Sequence, residues 1–315
     1  MSTHPEISIG LPVYNGLPYV KQLIEGVLAQ SFGNLELVIS DNASTDGTDE
    51  LCLSYARADS RVRYFRNSSN IGLIPNFNRV FEHASASYYK WAASDDIYEP
   101  TYLEACFPAI RDNEDVSVSH SETMLVSEDG QELPYDPELH ACMDKGNNRL
   151  WLLDRDRCAT HGSRTRRFRD VLAHQIMCSP VYGLMRRRQI LQTGLHRSFF
   201  GSDKPLLAEM ALLGRFHIAR GRLFKKRMHT GMTSVMSSGK LQNKIDPKVK
   251  LNSLQLVKLK AYLGILAEAR LTPLERAACY TYLGLYSASA AVPEMLRYRP
   301  ELVSRGLALK RLAHV

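Results

Sequence analysis

No two of the six cysteines (Cys52, Cys106, Cys142, Cys158, Cys178 and Cys279) stand at C-x-x-C spacing. That excludes a zinc knuckle and a dithiol redox motif, and leaves thiols of the kind a reducing compartment keeps free. Long apolar runs are also missing. The longest stretch without a charge, residues 277–293, falls short of the roughly 20 apolar residues a membrane span needs and is interrupted by Tyr, Thr, Ser and a terminal Pro. It reads as a buried helix, with a helix lying on a membrane surface as the alternative. Residues 1–6 are polar and lack the apolar segment of a secretory leader, so a cytoplasmic location is expected. No G-x-G-x-x-G follows the first strand signal and no G-x-x-x-x-G-K-[ST] occurs, which disfavours a dinucleotide cofactor and a P-loop NTPase. No internal repeat is visible.

The 315 residues are 44% hydrophobic, with 40 Lys+Arg against 33 Asp+Glu and a net charge of +7. This is an ordinary globular composition, and it suggests one large domain with an appendage, or two domains. The basic excess gathers at residues 186–188 and 220–227 and at Arg297, Arg299, Arg305, Lys310 and Arg311. Solvated helix faces are the plain explanation, attraction to anionic lipid headgroups the functional one. Nucleic acid ranks last, because no interleaved aromatic and basic motif is present.

The first 120 residues alternate strand and helix signals. Apolar runs at residues 7–11, 35–40, 62–65, 88–92 and 116–119 read as strands; helical spacing marks residues 19–30, 74–84 and 101–111, with Asp46 placed to cap another helix. This order predicts a mostly parallel sheet with helices on both faces. Ligands sit at the carboxyl ends of such strands, and polar clusters fall there three times: residues 12–15, Asp41-Asn42 and residues 94–96. Residues 122–169 look irregular, with a basic run at Arg164, Arg166, Arg167 and Arg169, and read as loops around an acceptor site. A helix is expected over residues 204–213, extended chain over 216–218 and 223–228, a loop or linker over 236–247, and helices from 248 to 315.

Asp95-Asp96 is the sharpest feature. Adjacent carboxylates at a strand end repel each other, and a hard divalent cation relieves the repulsion, usually with substrate phosphates completing its shell; a turn or helix cap is the plainer alternative. A carboxylate at Asp41 could accept an N–H from a pyrimidine base or bond a ribose hydroxyl, or close an Asx turn.

Four segments in register, Leu11-Pro12-Val13-Tyr14-Asn15, Asp41-Asn42-Ala43-Ser44-Thr45-Asp46-Gly47-Thr48, Asn70-Ile71-Gly72 and Ser94-Asp95-Asp96, resemble the signatures of family 2 glycosyltransferases with the GT-A fold. The resemblance covers residues 6–120, extends more weakly to about residue 235 and is absent beyond. It implies a GT-A domain over residues 1–235, with a nucleotide-sugar half (1–120) and an acceptor-side half (121–235). Pro12, Tyr14 and Asn15 would line the nucleotide pocket and Asp41 would bond the base. Asn70 and Gly72 would close over the nucleoside with Asn78 in support. Ser94 and Asp95 would face ribose and diphosphate, and Asp96 would bind Mg²⁺ or Mn²⁺. The family's D-x-D appears here as Ser-Asp-Asp, without its first carboxylate.

Further on, Asp203 in Gly201-Ser202-Asp203 stands where such enzymes carry the catalytic base, with Ser202 in place of the more usual acid. Arg227-Met228-His229-Thr230-Gly231-Met232-Thr233-Ser234 resembles a segment that in some members supplies a metal-binding histidine, here His229; Arg227, Lys225 and Lys226 could instead contact phosphate. The resemblance thus implies an inverting, metal-dependent transfer from a nucleotide sugar, UDP-linked or dTDP-linked, to a hydroxyl of a glycan, glycolipid or small molecule. A non-catalytic GT-A-like protein that binds a nucleotide sugar or glycan is the alternative. A nucleotidyltransferase is disfavoured because no Gly-rich, Arg-containing loop follows the first strand. Peripheral membrane contact through the basic C-terminal helices is the further partner to test.

Overall fold

The computed structural model describes residues 4–144, 149–154, 158–232, 238–249 and 253–290. The chain begins with strand β1 (Ile7–Val13), helix α1 (Val20–Leu28), β2 (Leu35–Asp41), α2 (Thr48–Ala58), β3 (Val62–Arg66), α3 (Leu73–Glu82), β4 (Tyr88–Trp91), a short β5 (Ile97–Tyr98), α4 (Tyr102–Asp112) and the long β6 (Val116–Val126). A hairpin-like trio follows, β7 (Tyr135–Asp136), β8 (Ala141–Asp144) and β9 (Arg149–Leu152), then α5 (Arg164–His174), a 3₁₀ turn (Ser179–Tyr182), β10 (Leu184–Arg186) and α6 (Arg187–Ile190). The remainder is α7 (Asp203–Leu213), β11 (Arg215–Arg227), α8 (Ser238–Ile245), α9 (Leu254–Glu268) and α10 (Pro273–Ala290).

Eight strands form one sheet in the order β3-β2-β1-β4-β10-β6-β11-β5. β1 pairs parallel with β2 and β4, β2 with β3, and β6 with β11, whereas β10 and β5 run antiparallel to their neighbours. The chain runs outward through β1, β2 and β3 and returns to place β4 on the other side of β1. That reversal opens a crevice at the carboxyl ends of β1 and β4, the usual ligand position in such sheets.

Every residue of β1 and β2 is buried, as strands covered on both faces require. Period-two alternation sends Leu37 and Ile39 to the layer formed by α1, α2 and α4, and Val38 to the opposite layer of α3, α5 and α7. In α1 the residues Val20, Leu23, Ile24 and Val27 repeat at helical spacing and are all buried; each contributes about 1.5–3 kcal/mol, and a charge at Leu23 would detach the helix.

Several expectations change. Among the described residues of 122–169, several are not loops: they complete β6, form the small antiparallel sheet with turns between its strands and start α5, because cross-strand hydrogen bonding satisfies a backbone whose side chains carry little periodicity. The two extended segments after residue 215 are one strand, offset against β6 between Ala219 and Phe224, where Gly221 takes a positive φ of 97°. Within the expected linker 236–247, residues 238–245 form α8, and Leu241 and Ile245 bury against Ile74; that contact outweighs a Ser/Gly/Lys-rich local sequence. The apolar stretch falls on α10, which buries Cys279 and Leu283 but exposes Leu274 and Leu285, so it is half-buried rather than buried; residues 291–293 lie outside the described ones. No helix among the described residues is long and apolar enough to cross a membrane. Part of the basic excess is internal. Arg167, Arg186 and Arg227 are buried, Arg186 clasping the carbonyls of Ile110 and Asn113, so these are not solvated faces. The other cluster, Arg297 to Arg311, lies outside the described residues.

Candidate active site

Asp41 ends β2 beside Val13, the end of β1. Its carboxylate is fully buried. Oδ1 accepts from the Ser44 N–H at 3.0 Å, and Oδ2 accepts from the Tyr64 hydroxyl and from Arg66, each at 2.9 Å. A carboxylate offers about four acceptor positions, and three of those on Asp41 are taken by its own neighbours. Pro12 is buried in β1, Tyr14 and Asn15 are exposed at the rim, and Asn15 donates its N–H to Ser44 and accepts from the Thr45 N–H, both at 2.9 Å.

Asn42 holds the next loop. Its amide donates to Asn70 Oδ1 at 2.9 Å and to the Gly72 carbonyl at 3.1 Å, and its oxygen accepts from the Ile71 N–H and from Asn67. Gly72 has φ 97°, and a Cβ there would lie 2.8 Å from the Ile245 carbonyl, so glycine admits both the turn and the close approach of α8. Asn78 points elsewhere. It donates to the His196 carbonyl at 2.9 Å and accepts the His196 N–H at 3.2 Å, supporting the opposite side of the site from the nucleoside loop.

Residues 94–96 leave β4 at the crevice. Asp96 is 3% exposed and accepts the Arg227 N–H at 3.1 Å. Burial, reinforced by Asp95, pushes its pKa up to about 7, against the pull of Lys226 and Lys90. Lys90 lies buried beneath it, 3.5 Å from the Tyr98 ring centre, and burial brings its pKa down to about 7. His229 pairs with Asp95 rather than Asp96, Nε2 to Oδ2 at 2.9 Å. Arg227 is not free for phosphate: its guanidinium donates to the carbonyls of Asp95 and Glu128 and to Gln22. Lys225 pairs with Glu99 at 2.7 Å. Lys226 lies 5.1 Å above the Tyr182 ring, within the electrostatic reach of both Asp96 and Asp203.

No three His, Cys, Asp or Glu side chains among the described residues are grouped to hold an ion by themselves. Asp95 and Asp96 are carboxylates of the kind that Mg²⁺ or Mn²⁺ takes one or two of, leaving positions to phosphate oxygens, whereas His229 has Nε2 on Asp95 and Nδ1 accepting the Gly231 N–H. The raised pKa of Asp96 comes first from burial and only then from the neighbouring Asp95 carboxylate.

Across Lys226, Asp203 opens α7. Its side chain is 39% exposed and its Oδ1 lies 3.2 Å from His196 Nδ1. The His196 ring is wedged edge-on against Trp91 at 4.8 Å and Phe77 at 5.3 Å. Burial raises the Asp203 pKa, but His196, Lys226 and Lys258 together hold it below the usual carboxylate value. Ser202, which stands where the family's more usual acid would be, is buried.

Sequence reasoning missed His196, Lys90 and Lys258, which are brought in by the loop before α7, by a core strand and by α9 and carry no local signal. The sequence does single out Lys226, as a possible phosphate contact. Asn42 lay inside a motif without a role of its own.

The profile of the family described as "Glycosyl transferase family 2" matches residues 8–190. An uncharacterized glycosyltransferase of Rickettsia felis is 33% identical over 135 residues, covering 42% of this chain and 22% of that protein. Glycosyltransferase GlyG of Streptococcus pneumoniae is 28% identical over 108 residues, covering 34% of this chain and 36% of that protein. The matched stretch thus spans well under half of these curated relatives. In fold, the chain resembles S. aureus TarS 1-349 in complex with UDP-GlcNAc (TM-score 0.59, 15% identity, 88% of this chain and 71% of that one). It also resembles the mannosyltransferase PcManGT from Pyrobaculum calidifontis in complex with GDP-Man and Mn²⁺ (TM-score 0.55, 14% identity, 98% and 81%). The mixed sheet, its crevice and the match across more than half of the sequence lead to one conclusion: the chain belongs to glycosyl transferase family 2 and has the GT-A type of fold.

Proposed function

We propose that the protein transfers a sugar from a nucleoside diphosphate sugar to an acceptor hydroxyl, with inversion at the anomeric carbon. The observation that carries this is the arrangement across Lys226: an acidic pair with His229 on one side, and an ionised, half-exposed Asp203 held by His196 on the other. UDP-linked sugars are the first choice of donor and dTDP-linked ones the second, since both bases offer the same N–H to Asp41.

The residues act as follows. The Asn15 and Asn70–Gly72 loops frame the nucleoside. Asp95 and Asp96 would hold a divalent ion, which when bound neutralises the diphosphate oxygens as the bond to the sugar breaks. Lys226 supplies a positive charge beside the same oxygens. Asp203, kept ionised, takes the proton from the attacking hydroxyl, and His196, 3.2 Å away, helps to keep its carboxylate charged. A single displacement with the base on the acceptor side needs no covalent sugar–protein intermediate and inverts the centre.

The test is a thermal-shift series with UDP, UDP-sugars, dTDP-sugars and GDP-mannose, each with and without Mn²⁺. Binding at 100 times Kd stabilises by about 2.7 kcal/mol. Stabilisation by a nucleotide sugar that deepens with Mn²⁺, followed by its slow hydrolysis, supports the proposal. No stabilisation by any of them overturns it; binding without hydrolysis points to the non-catalytic binding protein.

A further inference from the structure

Separate from this rim, β6, the β7–β8 region, β11 and the turn before the 3₁₀ segment enclose a cavity of about 240 Å³. One wall is rigidly built. The Asp154 carboxylate accepts the N–H groups of Ile176, Met177, Cys178 and Ser179 at 2.6, 2.7, 3.2 and 2.8 Å. His140 donates from Nε2 to the Asp154 carbonyl and accepts the Tyr135 hydroxyl at Nδ1, each at 2.8 Å.

Two buried side chains on the lining have polar atoms left over. Gln175 is 1% exposed and Ser179 4%, and both line the cavity, yet Gln175 Oε1 and Ser179 Oγ have no partner among the described residues. Buried groups of this kind normally find one. His120 donates from Nδ1 to the Ser121 carbonyl at 2.9 Å, which leaves Nε2 to accept; burial depresses its pKa and favours the neutral ring. Glu122 adds a carboxylate. With Glu122 and Arg222 both on the lining, the wall carries charge of each sign beside neutral acceptors, which suits a neutral ligand whose hydroxyls both donate and accept. Arg222 stacked 4.9 Å from the Tyr135 ring centre offers a flat face beside it. The volume exceeds several water molecules at about 30 Å³ each and falls below the roughly 300 Å³ at which drug-sized pockets begin.

We infer that this cavity holds one neutral sugar ring of the acceptor, adjacent to the ring that reacts. Ser179 lines the cavity, and three residues on Tyr182 lies under Lys226, within reach of the charges of Asp203, Asp95 and Asp96. At about 2 Å per residue the 3₁₀ turn spans about 6 Å, roughly one sugar unit. The word acceptor rests on the transfer reading above; the cavity's preference for a neutral sugar does not.

The experiment is saturation-transfer NMR with methyl glycosides of glucose, galactose, mannose, rhamnose and N-acetylglucosamine, without nucleotide and then with UDP. At least one glycoside is expected to bind with Kd ~1 mM, as suits so small a ligand, and to stay bound when UDP is added. Gln175→Leu, in the buried wall, and Glu122→Gln, at an exposed position that leaves the fold intact, should each weaken it about tenfold, with UDP affinity unchanged. Absence of any glycoside binding, binding indifferent to Glu122→Gln, or displacement of the glycoside by UDP overturns the inference. Failure of UDP itself to bind strikes the donor reading alone, because the glycoside titration is read first without it.

Discussion

On the donor side, Asp41 and Asn42 are tied to the short, continuous motifs at residues 41–48 and 70–72, Asp41 accepting the Ser44 N–H and Asn42 the Ile71 N–H. On the opposite side, Asp203 depends on a histidine seven residues earlier, a lysine from β11 and another from α9. The first region is organised by turns, the second by packing between elements far apart in the chain. Turn chemistry leaves a readable pattern because each orphaned N–H near a strand end demands a particular side chain a few residues away. Packing leaves little, because many apolar sequences fill the same space.

The largest effect that sharpens this contrast is on the packed side. Asp203→Asn should lower kcat by roughly 10²–10⁴, the span for loss of a general base, with nucleotide affinity intact by calorimetry; wild-type turnover would remove Asp203 from its role. Next, Leu266→Ala should cost about 2–5 kcal/mol in urea melts. Leu266 on α9 is fully buried in the core shared with α5 and α7, so an unaffected melt would mean the C-terminal helices are separable. On the turn side, Asn42→Ala should cost about 1–3 kcal/mol by leaving buried partners unpaired, and should weaken UDP binding without changing the pH profile of turnover.

The smallest effect is a slope. Folded Asp96 keeps its proton up to about pH 7, whereas an unfolded aspartate loses it near 3.9; the folded state binds more protons between, so stability falls as pH rises through that window. Lys90 deprotonates at about 7 when folded and near 10.4 when unfolded, so stability climbs again above 7. The thermal midpoint of the nucleotide-free protein should therefore dip near neutrality, and Asp96→Asn should erase the acidic limb; a flat profile in the parent protein would contradict both assignments.

Much of the frame was legible. Strands β1 to β4 and helices α1, α3, α4 and α7 stand within a few residues of their apolar periodicities, and the sequence pointed to Asp95 after β4 and to Asp203 at the start of α7. α8 was not, since its helix depends on Leu241 and Ile245 meeting Ile74, and the sequence between Ser238 and Ile245 on its own favours a loop. The pairing of His229 with Asp95, and the diversion of Asn78 to His196, follow from side-chain directions that spacing along the chain does not encode.

Arg227 has a consequence for motion. One side chain joins Gln22 of α1, the backbone after β4 and the turn after β6, while its own N–H holds Asp96. Three segments distant in the chain share a single knot, so their amides should exchange with deuterium as one cooperative unit, and the acidic pair should open to solvent only when that whole unit opens.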